Sequence, residues 1–185
     1  MATDRKENFD RFAFAHFREL RRFAFRVCQD RETADDLVQE TYLRAWRSFD
    51  KFEPDTNCRA WLFRIFLYVH SEYRRNQARQ PLTFSLDYVK DSTLSSHTDT
   101  PSDVTLEEIK LAFAELPEPF RIAVLLSDVE GLRYREIADA LDVPIGTVMS
   151  RLSRGRQLLR AKLATLSSKT GEAGSLEEHK KSGRI

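Results

Sequence analysis

The 185-residue chain has two cysteines, Cys28 and Cys58, and four histidines. No CxxC pair is present and no histidine lies at ligand spacing from either thiol, which excludes a disulfide framework and a zinc site and fits a reducing cytoplasm. Buried small apolar side chains are the expected role of both thiols. The N-terminal MATDRKENFDRF has no apolar signal region, and no apolar run approaches membrane-spanning length. A soluble, cytoplasmic protein without membrane insertion is expected. No glycine-rich phosphate loop, nucleophile–base pair or metal-ligand cluster appears. Catalysis is therefore the weakest reading, with no cofactor, metal or small-molecule substrate expected. Net charge is only +1, so any nucleic-acid affinity has to come from local clustering.

What is present is helical patterning in two blocks. Residues 9–80 carry helical periodicity, and 81–104 are dense in Ser, Thr and Asp with Pro81 and Pro101 as breakers, as in a linker. Patterning resumes at Thr105, an N-cap candidate ahead of Glu107 and Glu108, and continues to about 166. The polar stretch 167–185 reads as a disordered tail. Without strand-like alternation or repeats, the expectation is all-α: two small helical domains, 9–80 and 105–166, on a tether.

The most informative stretch lies in the second domain. Tyr134, Ile137, Ala138 and Leu141 form one apolar stripe. Asp142-Val143-Pro144-Ile145-Gly146 then breaks the helix, with Gly146 freeing the turn, and Thr147 is placed as N-cap of a following helix. That helix carries Arg151, Arg154, Arg156, Arg160 and Lys162 without an acidic residue. Val148, Leu152, Leu159 and Leu163 face inward. Ser150, Ser153, Arg154 and Gln157 face outward, flanked by Met149 and Arg151, while Arg156 lies nearer the packed side. A turn feeding a basic helix suits the DNA major groove; a solvated basic face on a helical hairpin is the plain alternative.

In the first domain, DDLVQETYLRAWRSF places Leu37, Val38, Thr41 and Ala45 inward and Asp36, Gln39, Glu40, Leu43 and Arg47 on another face. A leucine ringed by polar groups suits docking of another protein's helix, though a solvated face with one stray leucine would look alike. Asp35, Asp36 and Glu40 make a poor metal cluster because Asp35 points away. Pro54, Asp55, Thr56 and Asn57 then form a loop before a helix from Cys58, in which aromatics alternate with arginines, a pattern that can hold single-stranded DNA. Core packing competes for Trp61, Ile65 and Val69, which leaves the loop and the late arginines as the better DNA candidates. His70 is expected at the surface.

Together, DDLVQETYLRAWRSF, NCRAWLFRI and LPEPFRIAVLLSDVEGLRYREIADAL–PIGTVMSRLSRGRQLLR resemble an extracytoplasmic-function (ECF) sigma factor, and the stretch from Ser127 to Arg156 is similar to the thiol-stress subgroup. The resemblance implies a subunit that directs RNA polymerase core to promoters, controlled by an anti-sigma factor. Asp36, Gln39, Glu40, Leu43 and Arg47 would dock on the β′ coiled coil, and the second domain would meet the β flap. Asp55, Thr56, Asn57, Arg64, Arg74 and Arg75 would serve the −10 element. Thr147, Met149, Ser150, Arg151, Ser153, Arg154 and Gln157 would serve the −35 element. The linker would thread the polymerase cleft. Tyr68, Met149 and Ser153 depart from residues common in the family, so base preferences do not carry over. A free-standing helix-turn-helix regulator and a sigma mimic are the competing readings.

Overall fold

The computed structural model describes residues 2–53, 56–79 and 105–181, with side chains from residue 4 to 165 within those spans. The predicted linker 81–104 lies outside the described residues. Helices α1 (Ala2–Phe12), α2 (Phe17–Cys28), α3 (Arg31–Ser48) and α4 (Cys58–Arg79) form one bundle. A second bundle comprises α5 (Leu106–Ala114), α6 (Glu118–Val124), α7 (Tyr134–Leu141) and α8 (Ile145–Lys181), with one π-helical turn, Leu125–Val129, extending α6. No strand occurs among the described residues.

The helix boundaries follow local chemistry. Asp30 caps α3 by accepting from the Thr33 amide at 2.7 Å, satisfying one orphan donor of the first turn. Thr105 caps α5, as the sequence suggested, and with Glu108 it makes a reciprocal capping box that the sequence reading had not named. Between α7 and α8 the left-handed residue is Asp142, at φ 51°, and not Gly146, which lies inside α8. Helix α8 starts at Ile145, and the Thr147 amide already bonds the Pro144 carbonyl at 2.8 Å. Thr147 is thus a first-turn residue instead of the predicted cap. The helix also runs on to Lys181, so the stretch from 167 continues a helical backbone where composition suggested a disordered tail. At the other end α1 begins at Ala2, ahead of the predicted boundary at Phe9. Its Arg5 donates to the Trp46 carbonyl at 2.7 Å and lies over the Trp46 ring.

The 13 phenylalanines have a structural explanation. Phe9 meets Trp46 and Phe49 edge to face at 5.1 Å in an outer cluster of α1, α3 and α4, the geometry that ring quadrupoles favour. Phe23 and Phe63 meet the same way at 4.7 Å in the main core. That core does not stop at the first bundle: it runs from Leu20, Phe23, Phe63 and Phe66 into Ile122, Leu125, Leu126, Ile137, Val148 and Leu152. The two bundles are therefore packed on one another and are not simply strung on a tether. Helix α4 makes this possible because it buries Cys58, Leu62, Phe63, Phe66, Leu67 and Val69 over several sides, the signature of a helix covered by more than one neighbour.

Arg121 lies at the junction. Only 8% exposed, its guanidinium donates to the Val27 carbonyl near the end of α2 at 3.0 Å. It also donates to Leu116 at 3.1 Å and Ala114 at 3.3 Å, beyond and at the end of α5. Gln29 donates to the same Ala114 carbonyl at 2.9 Å. A cation among carbonyls left over at helix C-termini satisfies their lone pairs and the negative end of each dipole. Burial lowers the Arg121 pKa while Glu118 opposes that shift, and arginine stays charged throughout. Arg121→Met keeps the packing volume but leaves those carbonyls short of a donor. Urea denaturation should show a loss of about 2 kcal/mol; an unchanged midpoint would contradict this role.

Candidate functional site

On α3, Leu37, Val38, Thr41 and Ala45 are buried, and the opposite face presents Asp36, Gln39, Leu43 and Arg47 to solvent with Glu40 half-buried. Leu43 is 52% exposed, so the helix leaves an apolar side chain at the centre of a polar ring. Glu40 is already engaged: Arg44 binds it at 2.6 Å and reaches Glu72 of α4 at 2.6 Å. Asp35 turns away to a two-pronged pair with Arg21 at 2.6 and 2.9 Å, and that guanidinium holds its carboxyl below the usual carboxylate range.

The loop before α4 is described only at Thr56 and Asn57; Pro54 and Asp55 lie outside the described residues. Both Thr56 and Asn57 are exposed. Asn57 accepts from the Ala60 amide at 3.2 Å, capping α4, and donates to Glu136 of α7 at 2.7 Å. Arg64 shares a cleft of about 300 Å³ with Ala138, Asp139, Asp142, Val143 and Pro144. Arg74 lies 3.4 Å from Glu118, while Arg75 borders a different cleft with Tyr68, Glu72, Asn76 and Arg79. Three of the predicted −10 groups thus look onto carboxylates of the second bundle.

Residues outside the predicted set reinforce that junction. Glu130, 6% exposed, takes Arg59 at 2.6 Å and Arg26 at 3.5 Å. No sequence periodicity links Glu130 to Arg59, so pairs this far apart in the chain leave no local signal. His70 is 5% exposed, correcting the expected surface position, and stacks on Phe66 at 6.0 Å.

In the second bundle α7 buries Ile137 and Ala138, and α8 buries Val148 and Leu152. Gly155 is needed for the approach of α8 to α6, because a Cβ there would meet Val124 Cγ2 at 2.7 Å. Met149, Ser150, Ser153, Arg154 and Gln157 are exposed; Thr147 and Arg151 are half-buried. Arg156 is bound to Asp128 at 2.5 and 3.0 Å and to Ser127 at 3.2 Å, and Lys162 to Glu115 at 2.5 Å. These two cations are engaged within the bundle, leaving the outward edge to the residues named for it.

Two family models match this chain. Sigma-70 region 2 matches residues 14–80, and sigma-70 region 4 matches residues 106–159. The ECF RNA polymerase sigma factor EcfG of Rhodopseudomonas palustris is 35% identical over 144 residues, which cover 78% of each chain. The chain belongs to the ECF sigma factors of the sigma-70 family. SigE of Mycolicibacterium smegmatis is 36% identical over 173 residues, covering 90% of this sigma factor and 65% of that relative's length. The sigma factor RpoE of Bartonella quintana, solved in complex with the anti-sigma factor NepR, superposes with a TM-score of 0.72 at 28% identity. That match covers 85% of this chain and 98% of the other. The region 2 match spans the docking candidates on α3 and the −10 candidates, and the region 4 match spans the turn between α7 and α8 and the −35 candidates. No helix among the described residues is long and apolar enough to cross a membrane.

His70 gives this sigma factor a pH dependence. Burial pushes its pKa below the usual 6.5, Glu118 opposes, and Arg74 and Arg121 reinforce the depression. Because the unfolded chain takes up the proton first, the contribution is fully present above pH 6.5 and is lost as pH falls through that value toward the folded pKa. Urea midpoints measured from about pH 7.5 to 5.5 should fall more steeply in wild type than in His70→Phe. Parallel curves would contradict it.

Proposed function

We propose that this sigma factor directs RNA polymerase core to promoters by dividing the work among three faces. Asp36, Gln39, Glu40, Leu43 and Arg47 dock on the β′ coiled coil. Asp55, Thr56, Asn57, Arg64, Arg74 and Arg75 serve the −10 element. Thr147, Met149, Ser150, Arg151, Ser153, Arg154 and Gln157 enter the −35 major groove, while the second bundle meets the β flap. The observation that carries the reading is the exposed Leu43 face on a helix whose other side is fully buried.

Promoter DNA as a partner follows from chemistry. Arginine can bond guanine edges, and serine or glutamine can reach bases or phosphates. Work on chromosomal promoters places the protein in the cytoplasm. Control by an anti-sigma factor is supported by the solved pairing of RpoE with NepR, and a stress response fits that mode of control. Assignment to the thiol-stress subgroup rests on the stretch from Ser127 to Arg156 alone. Its cysteines do not suit a sensor role: burial pushes the Cys28 thiol up to about 12 and Cys58 to about 11, leaving little thiolate at neutral pH. Sensing would belong to the inhibitor.

The packing of the bundles adds a condition. Asn57, Arg64 and Arg74 face Glu136, Asp139 and Asp142, and Glu118. These carboxylates stand where DNA phosphates would, so reading a promoter requires the bundles to part.

Run-off transcription with purified core on sheared genomic DNA should yield discrete transcripts sharing paired upstream elements. Leu43→Ala should weaken core binding by about 1–2 kcal/mol and reduce every transcript together. An unchanged core affinity would remove the docking face, and no transcripts despite core binding would favour a mimic.

A further inference from the structure

The outward edge of α8 is chemically divided, and its apolar flank has no task in the division of labour above. Ile145 and Met149 are 40% and 51% exposed and lie one turn apart, within about 40° of each other around the helix. Arg151 and Arg154 lie on the opposite flank, with Ser150, Ser153 and Gln157 between the two. The nearest cation on the Met149 side is Arg156, about 20° away and two turns on. It is turned inward onto Asp128 and Ser127. Arg160 lies about 16 Å further along the axis than Met149, beyond the reach of the same base pair.

Two features open this flank to a DNA groove. A Cβ at Gly146 would meet nothing within 4 Å, so the first turn presents bare backbone and open space at the centre of the edge and can approach a groove floor closely. No acidic residue occurs from Ile145 to Thr165, so nothing on this stretch repels the phosphates along the groove walls. Among the base edges of the major groove, thymine alone presents a methyl group; the others present hydrogen-bonding atoms. A flexible, polarizable thioether chain conforms to a methyl. Against guanine or adenine it would cover acceptors and donors without replacing the water they lose, which costs free energy. Met149 thus attracts thymine and rejects the alternatives by the same contact.

We propose that Met149 reads the C5 methyl of a thymine in the −35 element, with Ile145 shielding that contact from water. The inference rests on the sigma-factor reading and deepens it: the −35 face acquires a base preference, with a thymine on the Met149 flank and hydrogen-bonded bases on the Arg154 flank. Because both apolar side chains stand in solvent in the free protein, they contribute little to folding and their replacement is felt at the promoter.

The test uses holoenzyme and a duplex promoter fragment recovered by run-off transcription. Each thymine of its −35 element, on either strand, is replaced in turn by deoxyuridine, which removes the methyl and keeps every hydrogen bond. Wild type should lose about fourfold in affinity at one position. Met149→Leu should keep that penalty and Met149→Ala should abolish it, with thermal unfolding and core affinity unchanged. A −35 element without thymine, or one in which no replacement weakens wild type, would overturn the inference. So would a penalty of the same size in Met149→Ala, which would set the methyl against another residue. A loss of core affinity in Met149→Ala would give the apolar flank to the polymerase and overturn it as well. A wild-type holoenzyme that yields no discrete transcripts would overturn the sigma-factor reading and this inference with it.

Discussion

The two halves of this molecule meet through buried charge, and the arrangement of everything functional depends on how that charge is satisfied. Arg121 lies among carbonyls at the ends of α2 and α5, one helix from each bundle. Glu130 lies between Arg59 and Arg26 of the first bundle. Desolvating such groups costs several kcal/mol per ion unless good partners are supplied. Both partners of Glu130 and one of the three carbonyls around Arg121 (Val27) come from the opposite bundle, so pulling the halves apart is favourable only if water, DNA or another protein replaces them. The apolar core that continues across the junction adds a second, non-directional attraction.

That constraint connects fold to function. On the proposed division of labour, two separated promoter elements are each read by a different bundle. In the packed arrangement the proposed −10 groups Asn57 and Arg74 meet Glu136 and Glu118 and Arg64 shares a cleft with Asp139 and Asp142, whereas the Leu43 face and the outward edge of α8 stay exposed. Under that proposal polymerase docking and −35 contact are accessible first, and −10 contact only after opening. An inhibitor that holds the bundles together would silence the protein without touching the docking leucine.

Much of this was legible in the sequence because periodicity and capping are local. The inward residues of α3, the stripe of α7, the start of α4 at Cys58 and the Thr105 cap all follow from spacing a few residues wide. What escaped depended on distant partners or on small energy differences. Asp142 tolerates the left-handed region well enough to carry the turn ascribed to Gly146. Proline ahead of Ile145 supplies a carbonyl acceptor, so Thr147 was not needed as a cap. His70 reads as polar yet is buried against Phe66 and Glu118, and the acidic residues facing Asn57 and Arg64 are about 80 positions away. No window of sequence joins them.

The central claim is that promoter reading requires the two bundles to separate. It is tested most directly by a distance measurement between spin labels at Arg18 and Arg160, both exposed, with Cys28 and Cys58 replaced by alanine. The account predicts one narrow distance in the free chain and a longer one in the holoenzyme bound to promoter DNA. The same distance in both states would contradict it.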